Sequence, residues 1–135
     1  MNKQFFISLF FALVTFIILG GVFANFVFLP EFEIWHGAYP EAVREAPDFI
    51  SGLVLGLLQL IAFVVLLPKL QITSGSGAAL FGAVYSVVIW LIVDLQMVSV
   101  TNIVSYEYVL KDALLSAVMG AILGVVVSWS QRRFA

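Results

Sequence analysis

Four long apolar stretches constrain this chain of 135 residues more than any other feature of its sequence. They cover about 5–29, 49–67, 77–100 and 113–129. A helix that spans the hydrocarbon core of a bilayer needs roughly 20 mostly apolar residues, and each stretch is of about that length. A strand of a membrane barrel would be about ten residues long with alternating polarity, and no stretch alternates. The sequence therefore predicts four transmembrane helices.

The composition predicts one integral membrane domain over residues 1–135, with the lipid bilayer as its surroundings. Hydrophobic residues make up 63% of the chain and charged residues 10%, whereas a soluble domain is about half apolar and a quarter charged. The net charge is −2 with six Lys and Arg, so no basic surface is available for nucleic acid. The chain has no Cys and one His, and we therefore expect no cofactor and no metal site built on those ligands.

The connections between the stretches predict an all-α antiparallel bundle. Pro30, Pro40 and Pro47 interrupt the first connection, and Pro68 ends the second stretch because proline disfavours helix at the residue before it. Residues 73–77, with the sequence TSGSG, form a flexible link into the third stretch. The second and third connections are short, so neighbouring helices are expected to pack antiparallel.

The distribution of Lys and Arg predicts the orientation in the membrane, because basic residues favour the cytoplasmic side. The four on one side are Lys3, Lys69, Arg132 and Arg133, and the two on the other side are Arg44 and Lys111. This distribution predicts cytoplasmic termini and a cytoplasmic second loop. Trp35 and Tyr108 are then expected at the outer interface of the membrane.

The first stretch has a second interpretation as a signal peptide. Lys3 precedes an apolar run, and Val22, Phe23 and Ala24 resemble a cleavage site of small residues. Cleavage would leave three spans. The apolar run continues to Leu29, and this favours a fourth membrane helix over a signal peptide.

Two of the stretches share a pattern that suggests a duplicated hairpin. The second opens with Asp48, Gly52 and Gly56, and the fourth opens with Asp112, Ser116 and Gly120, at one constant offset. Each aspartate is expected at a helix N-terminus, where a carboxylate caps free N–H groups and meets the positive end of the helix dipole.

Small residues spaced by four predict the faces on which the helices pack, since close backbone contact holds helices together in lipid. These faces are Gly52 and Gly56 on the second helix, Gly82 and Ser86 on the third, and Ser116, Gly120 and Gly124 on the fourth. The pattern leaves open whether these faces meet within one chain, between copies in a homo-oligomer, or against another membrane protein.

Asp94 is the ionisable residue that falls clearly inside a predicted span, about 9 Å from the outer end at 1.5 Å per residue. Acids inside a membrane usually face the bundle interior and often mark a proton or ion route. The alternative is a structural role, in which Asp94 is protonated or bonded to Asn25 or Gln59 and fixes helix packing.

Other polar residues could join Asp94 in a candidate intramembrane polar site. Asn25, Asp48 and Asp112 share the outer half of the predicted bundle, although Asp48 and Asp112 are also expected as caps. Gln59 lies nearer the middle of its span, where a hydrogen bond between helices is expected. A catalytic pair of aspartates would need Asp48 or Asp112 to lean in towards Asp94.

The sequence offers no recognisable catalytic motif, so an enzyme is not expected. Glu31, Glu33 and His36 form the one cluster with metal-binding side chains, but their spacing matches no metal motif. Pro30 and Gly37 favour a solvated acidic loop at this position.

The second half of the chain resembles small four-helix bacterial membrane proteins that are grouped as domains of unknown function. The resemblance rests on residues 82–85 (GAVY), Asp94-Leu95, Asn102, Asp112 and Gly120. One such family has a Tyr-Asp-Leu-Thr-Asn run where this chain has VDLQM. The resemblance implies an uncharacterised protein of the bacterial inner membrane and implies no activity.

Two functions are compatible with these features. The first is a non-enzymatic structural or accessory membrane protein, oligomeric through Gly120 and Gly124. The alternative is a small ion- or proton-coupled transporter or channel that uses Asp94. A transporter needs a cavity at Asp94, whereas a structural protein needs Asp94 sealed by hydrogen bonds.

Overall fold

The computed structural model describes residues 3–134, and the regular structure in this range is entirely helical. The helices are α1 (Lys3–Phe23), α2 (Leu29–Ala38), α3 (Phe49–Lys69), α4 (Gly75–Val100) and α5 (Tyr106–Arg133). A π-helical segment (Ala24–Phe28) joins α1 to α2, so one unbroken helix of 36 residues runs from Lys3 to Ala38. The described chain thus has four helices long and apolar enough to cross a membrane, and the predicted all-α class is confirmed.

The first membrane helix extends past the predicted end at residue 29. Proline usually ends a helix because its ring meets the carbonyl of the residue four positions earlier. Pro30 follows directly on the wider π-helical turn, which relieves that contact. The acidic cluster of Glu31, Glu33 and His36 therefore lies in α2, and the prediction of a loop there is wrong.

The fourth membrane helix begins at Tyr106, seven residues before the predicted start at 113. The hydroxyl of Ser105 caps it by accepting a hydrogen bond from the Tyr108 N–H at 3.2 Å. Asp112 is therefore inside the helix, and the prediction that it caps the N-terminus is wrong. Asp48 does cap α3, since its carboxylate accepts from the Ser51 N–H at 2.9 Å. The two aspartates of the proposed repeat thus occupy different positions in their helices.

Helices α4 and α5 pack with their backbones in close contact. A Cβ atom added at Gly82 would clash with the carbonyl of Gly120, and one added at Gly124 would clash with the carbonyl of Ala78. Ser86 lies beside Gly120 on the same face. Small side chains on both helices therefore set the distance and the register of this pair.

The bundle has two ends that serve as reference points below. The terminal end contains residues 3–11, 64–75 and 127–134, and the loop end contains 31–48 and 98–111. At the terminal end, the hydroxyl of Ser130 donates to that of Ser8 at 2.9 Å, and both residues are fully buried. Gln131 donates from Nε2 to the Val64 carbonyl at 3.2 Å. These bonds join α1, α3 and α5.

Helix α3 packs through its second half and is exposed over its first half. Leu60 and Val64 are buried in the core. A Cβ atom added at Gly56 would lie 2.9 Å from the ring of Phe16, so Gly56 does lie at a helix contact. Gly52 has open space around it, and Phe49 is 78% exposed. A packing role for Gly52 would need a partner beyond the described part of this chain.

Candidate functional site

The register of α4 and α5 brings Asp94 and Asp112 together. Ser86 lies level with Gly120. On α4, Asp94 lies eight residues after Ser86. On α5, Asp112 lies eight residues before Gly120. Residues four apart share a face of a helix, so the same faces that pack through small residues place the aspartates opposite each other. Their carboxyl groups lie within hydrogen-bonding distance.

Both aspartates are buried in the bundle. Asp94 is 6% exposed and Asp112 is 4% exposed. The Oδ2 atom of Asp94 is buried without a donor among the described residues. Since an ionised carboxylate only accepts hydrogen bonds, a bond between the two carboxyl groups requires that at least one of them carries a proton. The pair is thus a place where a proton can be held and released inside the bundle.

A cavity of about 320 Å³ lies beside Asp112, between the first membrane helix and the pair α4–α5, and Asp94 is not among its lining residues. Its polar lining comes from Asp112, Tyr108 and Ser116. Its remaining walls are apolar and come from Phe16, Gly20, Phe23, Phe28, Trp90, Leu115 and Met119. Binding sites for small organic molecules have this character, with mostly apolar walls and a few placed polar groups.

The π-helical segment helps to form the cavity wall. Phe23 and Phe28 lie at its two ends, and both line the cavity. Tyr108 also lines it, with its ring 6.5 Å from that of Phe28 and 4.7 Å from that of Trp35. Tyr108 is therefore part of the cavity wall in addition to its predicted place near the membrane interface. Single π-helical turns occur often at functional sites because they change the direction of neighbouring side chains.

An ion-pair cluster lies next to the site, towards the loop end. Lys111 Nζ is 3.0 Å from Glu31 Oε1 on α2 and 3.0 Å from Glu107 Oε1 on α5. Lys111 precedes Asp112 in the chain, so the cluster connects α2 to α5 within one turn of the carboxyl pair. Partly exposed ion pairs contribute little stability, and this connection is one that a modest conformational change can break.

The other predicted polar residues form local contacts. Asn25 is exposed and donates to the Gly21 carbonyl at 2.7 Å. Asp48 is exposed at the start of α3, where hydrogen bonds from the Ser51 hydroxyl and N–H hold its pKa below the ordinary value. The side-chain oxygen of Gln59 has no hydrogen-bond partner in the described structure. The bond between helices at this point runs from the Tyr85 hydroxyl to the Gln59 backbone carbonyl at 3.1 Å, so it uses the backbone of Gln59 rather than its side-chain oxygen.

The acidic cluster on α2 is arranged for pairing within the chain. Glu31 bonds to Lys111, and the ring Nδ1 of His36 lies 2.8 Å from the Val43 carbonyl. The described residues contain no group of three or more His, Cys, Asp or Glu that could hold a metal ion.

Sequence reasoning selected both aspartates but missed the aromatic wall around them. One signal was available for two of these rings: Trp90 lies four residues before Asp94, and Tyr108 lies four residues before Asp112. Each ring therefore shares a helix face with its aspartate. No comparable signal marks Phe16, Phe23 or Phe28 among the many Phe residues of the first helix.

Comparison with known proteins adds no further information about this site, since no family model, no curated protein and no solved structure matches the chain. The fold and the site together define a class: an all-helical protein with four helices of membrane-spanning length and a buried carboxyl pair.

Proposed function

We propose that this protein is a small proton-coupled transporter. The observation that carries this proposal is the position of Asp112, which is hydrogen-bonded to Asp94, in the wall of a cavity large enough for a small organic molecule. Acids inside a membrane bundle are costly to keep and often mark proton or solute routes. A carboxyl pair used only for packing would not need a cavity at its side.

Each part of the site has a role in this proposal. The carboxyl pair holds the proton that is exchanged, and the aromatic walls surround the solute and exclude water. Ser116 offers a hydroxyl that can donate or accept a hydrogen bond at the cavity wall. The loop end is closed when the contact between Lys111 and Glu31 is formed. It opens when this contact breaks and α2 moves away from α5.

The proposed location is the inner membrane of a bacterium, with both termini in the cytoplasm. Lys69, Arg132 and Arg133 lie at the terminal end of the bundle, while Arg44 and Lys111 lie at the loop end. The excess of basic residues at the terminal end supports a cytoplasmic position for that end.

Labelling with an apolar carbodiimide tests whether the pair holds a proton, because carbodiimides react with protonated carboxyl groups. The full chain in lipid vesicles is treated across a range of pH, and the modified residue is identified by mass spectrometry. We expect the label on Asp94 or Asp112 near neutral pH, with strong reduction in Asp94→Asn and in Asp112→Asn.

Asp48→Asn is the matched control for this experiment, since asparagine keeps the cap on α3 and the residue is exposed. It should label like the unaltered protein. Absence of label on both aspartates at every pH would overturn the proposal, as would label that persists unchanged in both pair variants.

A structural or accessory role is the second candidate, and one observation favours it. The first half of α3 carries Gly52 in open space and the exposed side chains Phe49 and Ile50. A second copy of the chain could pack closely at Gly52. Native mass spectrometry of the unaltered protein and of Gly52→Leu tests this candidate: a dimer that the substitution dissociates would support it, and a monomer in both would exclude a second copy as the partner.

A further inference from the structure

We propose that the cavity binds a monovalent organic cation with an aromatic or alkyl body, and that this cation takes the place of the proton on the carboxyl pair. The inference rests on the proposed transport function and adds the chemical class of the solute. It is carried by the charge, the chemistry and the size of the cavity.

The charge of the cavity wall selects a cation. Asp112 is the charged residue of the lining, and no Lys or Arg lines the cavity in the described structure. Asp94 lies directly behind Asp112 with a buried oxygen that lacks a donor. An anion would have to approach two carboxyl groups in a low-dielectric interior, where like charges repel strongly.

The rings of the cavity wall select an organic cation. Trp90, Tyr108, Phe16, Phe23 and Phe28 surround the space in front of Asp112. Aromatic rings attract ammonium groups through their quadrupoles, and cages of this kind recognise quaternary ammonium ligands. The apolar body of such a cation fits the remaining aliphatic wall.

An inorganic cation fits this site less well. Hard metal ions need about six or more oxygen ligands, or several retained water molecules. The cavity wall offers the carboxylate of Asp112 and the hydroxyls of Ser116 and Tyr108, and its other walls are apolar. A neutral solute would leave the carboxyl pair without a function in binding.

Few other titratable groups surround the exchange site. Tyr108 on α5 is the nearest, and Glu31 on α2 is close enough to act on it electrostatically. Lys111 and Glu107 follow at the loop end, where they are paired with each other. Lys111 is also bonded to Glu31, and because its single positive charge faces two carboxylates, this cluster adds one negative charge near the cavity to that of the Asp94–Asp112 pair.

The exchange balances in charge. A carboxyl pair that shares one proton has a single negative charge. When a monovalent cation enters and the proton leaves, the pair has two negative charges and the cation compensates one of them. The site therefore keeps the same net charge in both states, and no uncompensated charge is added to the membrane interior.

Calorimetric titration of the full chain in a nonionic detergent tests the inference. The ligand is benzyltrimethylammonium, and benzylsulfonate is the matched probe with a similar body and the opposite charge. Titrations in two buffers of different protonation enthalpy count the protons released. We expect saturable binding of the cation, release of close to one proton per cation, and no binding of benzylsulfonate.

Two variants and one control locate the binding. Asp112→Asn should weaken cation binding at least tenfold, and Trp90→Leu should weaken it about 2- to 30-fold through the loss of one ring. Trp90→Leu leaves both carboxyl groups in place, so it remains informative if Asp112→Asn fails to fold. Asp48→Asn should bind like the unaltered protein.

The outcomes separate this inference from the transport proposal. Carbodiimide label on the pair without saturable cation binding would overturn the inference and leave the proton-binding site intact. Binding without proton release, or equal binding of benzylsulfonate, would also overturn it. Absence of the label would remove the proposed function together with the inference.

Discussion

Substitution of Gly120 by alanine tests the helix contact on which the site depends. The added methyl group would meet the backbone of Gly82 and the hydroxyl of Ser86. Backbone atoms cannot rotate away, so α4 and α5 must separate. Overpacking of this kind costs about 1–3 kcal/mol, and alanine recovers about 1 kcal/mol of helix propensity relative to glycine. We therefore expect Gly120→Ala to lower the free energy of unfolding by up to about 2 kcal/mol.

The same substitution at Gly52 is the matched control. A methyl group there meets nothing within 4 Å, so only the gain in helix propensity remains. Gly52→Ala should therefore raise the free energy of unfolding by up to about 1 kcal/mol. Unfolding by SDS in mixed micelles, followed by circular dichroism and tryptophan fluorescence, measures both values.

The separation of α4 and α5 should also reach the carboxyl pair. Gly120 lies two helical turns from Asp112 on the same face, so Gly120→Ala should reduce carbodiimide labelling of the pair while Gly52→Ala leaves it unchanged. Equal stability of the two alanine variants would refute the argument, because it would mean that α4 and α5 do not pack through Gly120.

Three further predictions follow from single contacts. A double-mutant cycle with Ser8→Ala and Ser130→Ala should give a coupling energy of about 0.6–1.7 kcal/mol, since their hydroxyls are bonded at 2.9 Å in the buried core; additive effects would contradict this. The pKa of Asp48 is lowered by folding, so its carboxylate stabilises the fold above about pH 4. This contribution disappears as the pH falls through the folded pKa. Melting curves measured across pH should therefore show an acid-dependent loss of stability that Asp48→Asn lacks. Glu31→Gln removes one ion pair of Lys111 and should speed hydrogen exchange of the α2 amides with a stability change below about 1 kcal/mol; unchanged exchange would show that the ion pair does not hold α2.

The four membrane helices could be predicted from the sequence because bilayer thickness fixes their length and apolar side chains mark them. The ends of these helices could not be predicted from the sequence. Pro30 is a usual signal for a helix end, but the π-helical turn before it allows the helix to continue to Ala38. The start of α5 is set by the cap at Ser105, whereas the prediction placed the cap at Asp112 and the start at residue 113.

Asp94 could be selected from the sequence because ionisable residues are rare inside such helices. Asp112 was selected as a polar residue of the outer half and was expected to cap its helix. Their contact could not be predicted, since it depends on which face of α4 meets which face of α5. The small-residue pattern marks both faces, Gly82 with Ser86 and Ser116 with Gly120. It does not show that these two faces contact each other. The cavity depends in addition on the π-helical segment, for which the sequence offers no periodic signal.

Infrared spectroscopy of the protein in lipid tests the central claim most directly, because the carbonyl stretch of a protonated carboxyl group is distinct from that of a carboxylate. At neutral pH the account predicts one protonated carboxyl group per chain. Its band should shift or disappear in Asp94→Asn and in Asp112→Asn and remain unchanged in Asp48→Asn. Absence of a protonated carboxyl band, or a band that responds to only one of the two pair variants, would contradict the shared proton.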